Sequence, residues 1–360
     1  MARLHNFSAG PAVLPVSVLE ELRGSLLEYG GTGLGLMEMS HRGKAFTAII
    51  EGAEARLRRV LGVPADYKVL FLQGGASLQF YMVPLNLLRV GEQVDFLLTG
   101  TWTAKAIKEA ARIGDAKGVW DGKALVHKRV PGPSDYQTRP DAVYLHYCTN
   151  NTIYGTQYTG VPDSQGHHLV ADMSSDIASR PVDIGAHDVV FAGAQKNLGP
   201  SGVTVVILSP WAMERCGGDM TPTLDYKVQV AEGSMYNTPN TFGVYALERV
   251  LAWVEGLGGL PAIAARNTLK ADTLYSELDR SAFWRPHAEA GSRSQMNVTW
   301  RLPDEELEAR FLADADAAGF KGLKGHRSVG GVRASLYNAL EPASVDALVG
   351  FMREFEHNNG

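Results

Sequence analysis

A chain of 360 residues, 45% hydrophobic and 20% charged, has the make-up of a soluble globular protein with room for one large domain and a smaller one. Its net charge of −5 excludes the broad basic field that draws nucleic acid or an anionic membrane, so a bound anion must be held by local arginines, helix ends and backbone amides. The two cysteines, Cys148 and Cys216, lie too far apart for a CxxC metal or redox pair, and no metal site is expected.

The first residues lack the apolar core of a signal peptide, and no run approaches the roughly 20 apolar residues of a spanning helix, so a cytoplasmic protein is expected. Residues 6–15 are small, polar and bracketed by prolines, which makes 1–15 an N-terminal arm rather than a strand. A helix over 17–29 puts Val18, Leu22, Leu26 and Leu27 roughly on one face. The glycine-rich 30–35 ends it, and this loop is no dinucleotide fingerprint, because no strand precedes it and the third glycine is misplaced. Ser40-His41-Arg42-Gly43 then opens a helix over 44–61. A His-Arg pair at a helix start can hold a carboxylate or phosphate, and is more often plain surface.

From Lys68 onward strands and helices alternate. Apolar strands are expected at 69–72, 94–98, around Val119, and at 143–147, 169–171, 189–192 and 203–208, with helices over 78–88 and 103–113. Continuous apolar strands joined by helical crossovers imply a mainly parallel sheet covered on both faces, with ligands beyond the strands' carboxyl ends. Helix returns over 243–279 with a break near Gly258-Gly259-Leu260-Pro261. A smaller α+β pattern follows: strand 296–300, helix 304–318, strand 332–336 and helix 342–357. The break divides a large domain, 16–258, from a small C-terminal domain, 259–360.

Chemistry gathers at the expected strand ends. Lys196 stands in a glycine-rich turn between two apolar strands, where burial lowers an amine's proton affinity and prepares it to attack a carbonyl; a lysine that only caps turn carbonyls fits the local pattern equally well. Gly74-Gly75-Ala76-Ser77 links a strand to a helix start, where free amides and the helix dipole favour a phosphate, although a simple turn reads the same way. Trp102, placed at the carboxyl end of the 94–98 strand and its turn, offers an indole face for a flat ring or for the core. Asp172 ends the 169–171 strand, where a carboxylate can keep a pyridine nitrogen protonated, and the order Asp then Lys on successive strands singles the pair out. His326, Arg327 and Arg333, with His41 and Arg42, supply more cations than one carboxylate requires. Cys148 reads as a buried structural thiol.

Taken together, Phe7-Ser8-Ala9-Gly10-Pro11, Glu38-Met39-Ser40-His41-Arg42, Gln73-Gly74-Gly75-Ala76-Ser77, Ala192-Gly193-Ala194-Gln195-Lys196-Asn197, Asn237-Thr238-Pro239 and Gly325-His326-Arg327 through Tyr337-Asn338-Ala339 resemble the phosphoserine aminotransferase family, within the class V, fold-type I enzymes that use pyridoxal phosphate. The resemblance implies the fold-type I architecture and a Schiff base between Lys196 and the cofactor, with Lys196 then moving the proton. By the same resemblance Asp172 pairs with the ring nitrogen, Trp102 stacks on the ring, and Thr152 bonds the phenolic oxygen side. Ala76, Ser77 and Gln195 hold the cofactor phosphate, with Asn237 and Thr238 reaching it from the second subunit of a homodimer. Arg333 clamps the α-carboxylate. Arg42, His41, His326 and Arg327 meet the γ-carboxylate of glutamate or the phosphate of phosphoserine, and Ser8 joins the substrate set. Position 77 departs from a common form of the motif, which carries Arg there, so the other basic groups take a larger share of substrate phosphate.

The implied reaction is L-glutamate plus 3-phosphohydroxypyruvate giving 2-oxoglutarate plus O-phospho-L-serine, with a related phosphorylated substrate of pyridoxine synthesis open as a second activity. The competing readings are another class V enzyme, such as a cysteine desulfurase or a small-amino-acid:glyoxylate aminotransferase, and a binding protein that kept the fold without the chemistry. A desulfurase needs an exposed Cys on a mobile loop, and a glyoxylate enzyme has no use for so many cations.

Overall fold

Continuous apolar runs joined by helical crossovers dictate the architecture seen in a computed structural model, which describes residues 3–360. The main sheet has seven strands: β1 (Lys68–Leu72), β2 (Gln93–Leu98), β3 (Asp115–Asp121), β4 (Ala142–Cys148), β5 (His168–Asp172), β6 (Val189–Gly193) and β7 (Thr204–Leu208), in the spatial order β1-β7-β6-β5-β4-β2-β3. The five strands from β2 to β6 are parallel to one another, whereas β7 runs antiparallel to both β6 and β1. The turn from Ala194 to Val203 reverses the chain, so β7 returns directly beside the strand that precedes Lys196.

Both faces of the sheet are covered, which is why its strands read as continuous apolar runs rather than as a polar alternation. Val170, Phe191 and Val206 pack on one face with Phe80, Val83 and Leu87 of α3 (Gly75–Leu87) and Ala106 and Ala110 of α4 (Thr101–Ala110). Ala171, Val190 and Val205 pack on the other with residues from α2 (Lys44–Leu61), such as Phe46 and Leu57, and from α5 (Thr241–Gly256), such as Leu247 and Leu251. Helix α1 (Val16–Ser25) ends four residues before the expected stop at 29, leaving Leu26 and Leu27 exposed.

A separate apolar cluster surrounds a three-stranded antiparallel sheet of Arg285–Pro286, Asn297–Arg301 and Val332–Ser335. It includes Leu274 and Leu278 from α6 (Gly259–Arg280), Phe311 from α7 (Glu305–Ala317), and Leu348 and Phe355 from α8 (Pro342–Asn359). Helix α6 carries the chain between the two cores, since its Leu260 and Ile263 belong to the cluster beneath the large sheet. The segment read as an arm contains a two-residue strand: His5–Asn6 pairs in parallel with Phe320–Lys321, and Phe7 is buried in the smaller core. Residues 1 and 2 of that arm lie outside the described residues.

Two helix starts fall earlier than the sequence suggests, and both matter for the site. Gly74 adopts φ 89°, a left-handed conformation that lets the chain turn at once, so α3 begins at Gly75 and not near Leu78. Gly100 donates its N–H to the Thr103 hydroxyl (3.2 Å), so α4 begins at Thr101. Trp102 therefore stands in the first turn of a helix, not on a strand end or in a turn. Further along, the expected strand 296–300 is shifted by one residue to Asn297–Arg301, and Asp304 caps α7 by accepting the Leu307 N–H (2.8 Å).

Candidate active site

The carboxyl ends of β4, β5 and β6 open into a cavity of about 330 Å³. Asp172 is the last residue of β5 and pairs in register with Phe191 of β6, while Lys196 follows β6 by three residues, so adjacent parallel strands deliver carboxylate and amine to one rim. Asp172 is buried, and its carboxylate accepts the Ser174 N–H at 2.9 Å. Burial pushes its pKa above the usual carboxylate value, against the opposing pull of the Ser174 hydrogen bonds and of Lys196. Burial also lowers the pKa of the Lys196 amine, with the Asp172 charge working the other way. A lysine whose ammonium is destabilised in this manner gives up its proton readily and can act as a nucleophile. Lys196 Nζ donates to the Thr152 hydroxyl at 2.9 Å.

Thr152 connects two parts of the site. It sits just after the short strand Asn150–Asn151, and its carbonyl accepts Arg333 Nη1 at 3.2 Å from the smaller sheet. Arg333 Nε is buried without a partner, and burial lowers the guanidinium pKa. An orphaned donor of this kind costs free energy unless a ligand completes it. Beside Thr152, Asn150 Nδ2 donates to Ser175 Oγ and to Asn297 Oδ1, both at 2.8 Å, tying the strand end of the large sheet to the small one.

At another side of the cavity the first turn of α3 presents Gly75, Ala76 and Ser77. No acidic residue occupies that turn and no side chain caps it, which leaves its amide donors for an anion. Trp102 lines the cavity with Nε1 buried and unpartnered. Gln195 and Lys196 face Gly10, where an added Cβ would come within 3.5 Å of Lys196 Cγ at a φ of 136° that side chains rarely adopt. The donor set fits pyridoxal phosphate: amides at a helix start for the phosphate, a buried carboxylate for a ring nitrogen, an indole for a ring face and an amine for the aldehyde.

Of the residues singled out in sequence, Ala76, Ser77, Trp102, Thr152, Asp172, Gln195, Lys196, His326 and Arg333 line this cavity together. Ser8, His41, Arg42, Arg327, Asn237 and Thr238 do not. Arg42 and Arg327 are exposed, and His41 is half-buried with Nε2 unpartnered. Asn237 and Thr238 are exposed beside the chain's own Gln73, whose side chain donates to the Thr238 carbonyl at 2.9 Å. Ser8 packs against Gly322, leaving no room there for a Cβ. Sequence reasoning missed Asn150, Ser174, Ser175, Ile153 and Phe80; the serines lie two and three residues after Asp172, and that proximity was the signal available. Cys148 also lines the cavity, although it is buried as expected; burial raises its pKa and keeps it a thiol, and Cys216 is likewise free and buried. Among the described residues no cluster of His, Cys, Asp and Glu has the arrangement of a metal site, and no helix is long and apolar enough to cross a membrane.

A lysine and an aspartate on neighbouring parallel strand ends, facing a helix N-terminus across one cavity, define the class-V aminotransferase site. The family model for class-V aminotransferases matches residues 4–348. A phosphoserine aminotransferase of Desulfotalea psychrophila is 50% identical over 357 residues, covering 99% of each chain. Among solved structures, phosphoserine aminotransferase from Bacillus circulans subsp. alkalophilus is 46% identical with a TM-score of 0.97, covering 99% of each chain. The pyridoxal-phosphate-bound enzyme from Trichomonas vaginalis is 37% identical with a TM-score of 0.93, covering 98% of this chain and 100% of that one. The chain belongs to the phosphoserine aminotransferase family.

Proposed function

We propose that the chain uses pyridoxal phosphate to move the amino group of L-glutamate to 3-phosphohydroxypyruvate, yielding 2-oxoglutarate and O-phospho-L-serine, a step of serine biosynthesis. The observation that carries this reading is the meeting of Lys196, Asp172, Arg333 and the α3 amides in one cavity, on a fold shared along its whole length with phosphoserine aminotransferases. When bound, the cofactor supplies an aldehyde carbon and an electron-withdrawing ring.

This chain's residues do the rest. Lys196, with its lowered proton affinity, would condense with the cofactor aldehyde with loss of water and, once freed by the substrate amine, would stand where it can take the proton from the substrate Cα and deliver it on the cofactor side of the shared nitrogen. Thr152 Oγ1 holds Nζ in line for that transfer. Asp172 would keep the ring nitrogen protonated, and a positive ring partner would in turn favour the carboxylate that burial alone disfavours. Ala76, Ser77 and Gln195 would hold the cofactor phosphate and Trp102 would cover the ring. Arg333 takes the substrate α-carboxylate in the two parallel hydrogen bonds that its planar fork offers. His326 and Arg327, with Ser8, meet the far end of the substrate.

We propose further that two chains form a homodimer in which Asn237 and Thr238 reach the partner's cofactor phosphate and His41 and Arg42 reach the partner's substrate. All four lie outside their own chain's cavity, and Asn237, Thr238 and Arg42 are exposed. A division into an arm over 1–15, a large domain over 16–258 and a small domain over 259–360 is supported by the two apolar cores, with α6 leading from one to the other. A cytoplasmic enzyme also acting on the phosphorylated substrate of pyridoxine synthesis is consistent with this reading. A desulfurase role has no support, because neither thiol is exposed.

The test is a coupled assay with glutamate and 3-phosphohydroxypyruvate alongside the visible spectrum. The expected result is a yellow protein whose absorbance shifts on adding glutamate and recovers on adding 3-phosphohydroxypyruvate. Turnover of alanine with glyoxylate in preference to the phosphorylated acceptor would sink the assignment.

A further inference from the structure

The far end of the substrate is short of fixed charge in this chain's own cavity. Three cationic or titratable basic side chains line it: Lys196, Arg333 and His326. Lys196 is committed to the carbonyl chemistry and Arg333 to the α-carboxylate. His326 is a weak provider, since burial and then the fields of Arg333, Arg327 and Lys105 lower its pKa below the ordinary imidazole value. Ser77, at the α3 turn, brings no charge.

Lys105, which no motif in the sequence singles out, answers this shortage. It lies three residues after Trp102 in α4, hence on the same helix face, and its ammonium stands 4.8 Å from the centroid of the Trp102 ring. Trp102 lines the cavity, and the same ammonium is near enough to His326 to disfavour the protonated imidazole. The π face of the indole holds a cation in place without neutralising it. Glu109, the residue one turn on that could have paired with Lys105, is bound instead to Arg112 at 2.9 Å. Lys105 is exposed and stands outside the cavity lining, over the Trp102 ring that forms part of it.

We propose that Lys105 is a specificity-determining residue that recognises the distal anionic group of the substrate and favours a phosphate monoester over a carboxylate. This rests on the reading of the cavity as that of a phosphoserine:2-oxoglutarate transaminase. A phosphate monoester carries nearly two negative charges at neutral pH and the glutamate side chain one, and attraction to a fixed cation grows in proportion to ligand charge. Lys105 therefore contributes to both substrates and more to the phosphorylated one.

The experiment measures the two half-reactions separately on the holoenzyme, with O-phosphoserine and with glutamate, in the wild type, Lys105→Met and Lys105→Arg. Met keeps an unbranched apolar stem over the indole and removes the charge. Because the energy scales with charge, a loss of about threefold in kcat/KM for glutamate should accompany about tenfold for phosphoserine in Lys105→Met. The visible spectrum should be unchanged, and Lys105→Arg should stay within about twofold of the wild type for both substrates. Equal losses for the two substrates, or none, overturn the proposal. A loss that Arg fails to rescue assigns the effect to packing on Trp102 and overturns it as well. A wild type unable to convert phosphoserine at all sinks the transaminase reading itself, a result seen before any variant is made.

Discussion

Asp172 and Lys196 are delivered by neighbouring strands of the large sheet, whereas Arg333 comes from the small sheet and Arg327 from the exposed loop before it. The first pair sits on a floor formed by β5 and β6, interior strands hydrogen-bonded on both sides and packed on both faces. Arg333 reaches the same cavity across the junction of two cores, linked to the floor by the Arg333–Thr152 and Asn150–Asn297 hydrogen bonds, while Arg327 stands outside the cavity lining. The difference teaches that the Asp172–Lys196 pair is built into the core of the large sheet, while the two arginines are placed on the smaller sheet and on its exposed loop. Rigid placement suits proton transfer, which loses rate steeply with misalignment.

The sharpest way to break this comparison is on the floor. Lys196→Ala should lower kcat for the complete reaction by about 10³-fold or more, because nucleophile and proton carrier are lost together. Added pyridoxal phosphate should then fail to produce the visible band of the wild type. An activity within tenfold of wild type would show that another amine does the work. At the junction, Arg333→Ala should cost kcat/KM for glutamate and for phosphoserine alike, by ~2–5 kcal/mol, since a desolvated charge pair is broken in both complexes. Steady-state kinetics with each amino acid check it, and a loss confined to one substrate would remove Arg333 from the common α-carboxylate.

The floor also has a titratable weak point. His146 on β4 is buried between Phe96 (centroids 4.7 Å apart) and Phe191 (6.0 Å), with Nε2 unpartnered, and burial brings its pKa down to about 3. The folded chain therefore keeps this ring neutral, while the unfolded chain protonates it near its ordinary value. Stability is fully present above about pH 6.5 and is lost as pH falls toward the folded pKa, at about 1.4 kcal/mol per pH unit. His146→Phe should flatten that acid limb, as read from Tm between pH 6.5 and 5.5. Parallel limbs in wild type and variant would mean that the buried ring is not what titrates. The smallest effect belongs to the rim: Arg327→Ala should lower kcat/KM for phosphoserine by roughly fivefold, the range of an exposed ion pair, and that for glutamate by less. Equal losses would contradict a loop that discriminates by charge.

Much of the floor was legible beforehand because strand periodicity and glycine turns are local properties. The apolar runs ending at Asp172 and before Lys196 announced their positions, and the Gly74-Gly75 turn announced a helix start. The antiparallel course of β7 was not legible, since an apolar run reads the same in both directions. Nor was the helical setting of Trp102, which depends on the Gly100 N–H finding the Thr103 hydroxyl. Lys105 carried no signal at all: its place over the indole follows from that earlier helix start, which sets the face shared by 102 and 105.

The sequence by itself determined the class of fold, the Asp-then-Lys order at successive strand ends and the family likeness, because each rests on residue type and spacing along the chain. Only the tertiary structure decided which of the many basic groups face the cavity, that Thr152 touches both Lys196 and Arg333, and that Arg42, Asn237 and Thr238 look outward from their own chain. Those facts depend on how two cores dock through α6 and the Asn150–Asn297 contact, and docking is fixed by burial and hydrogen bonding between segments more than a hundred residues apart.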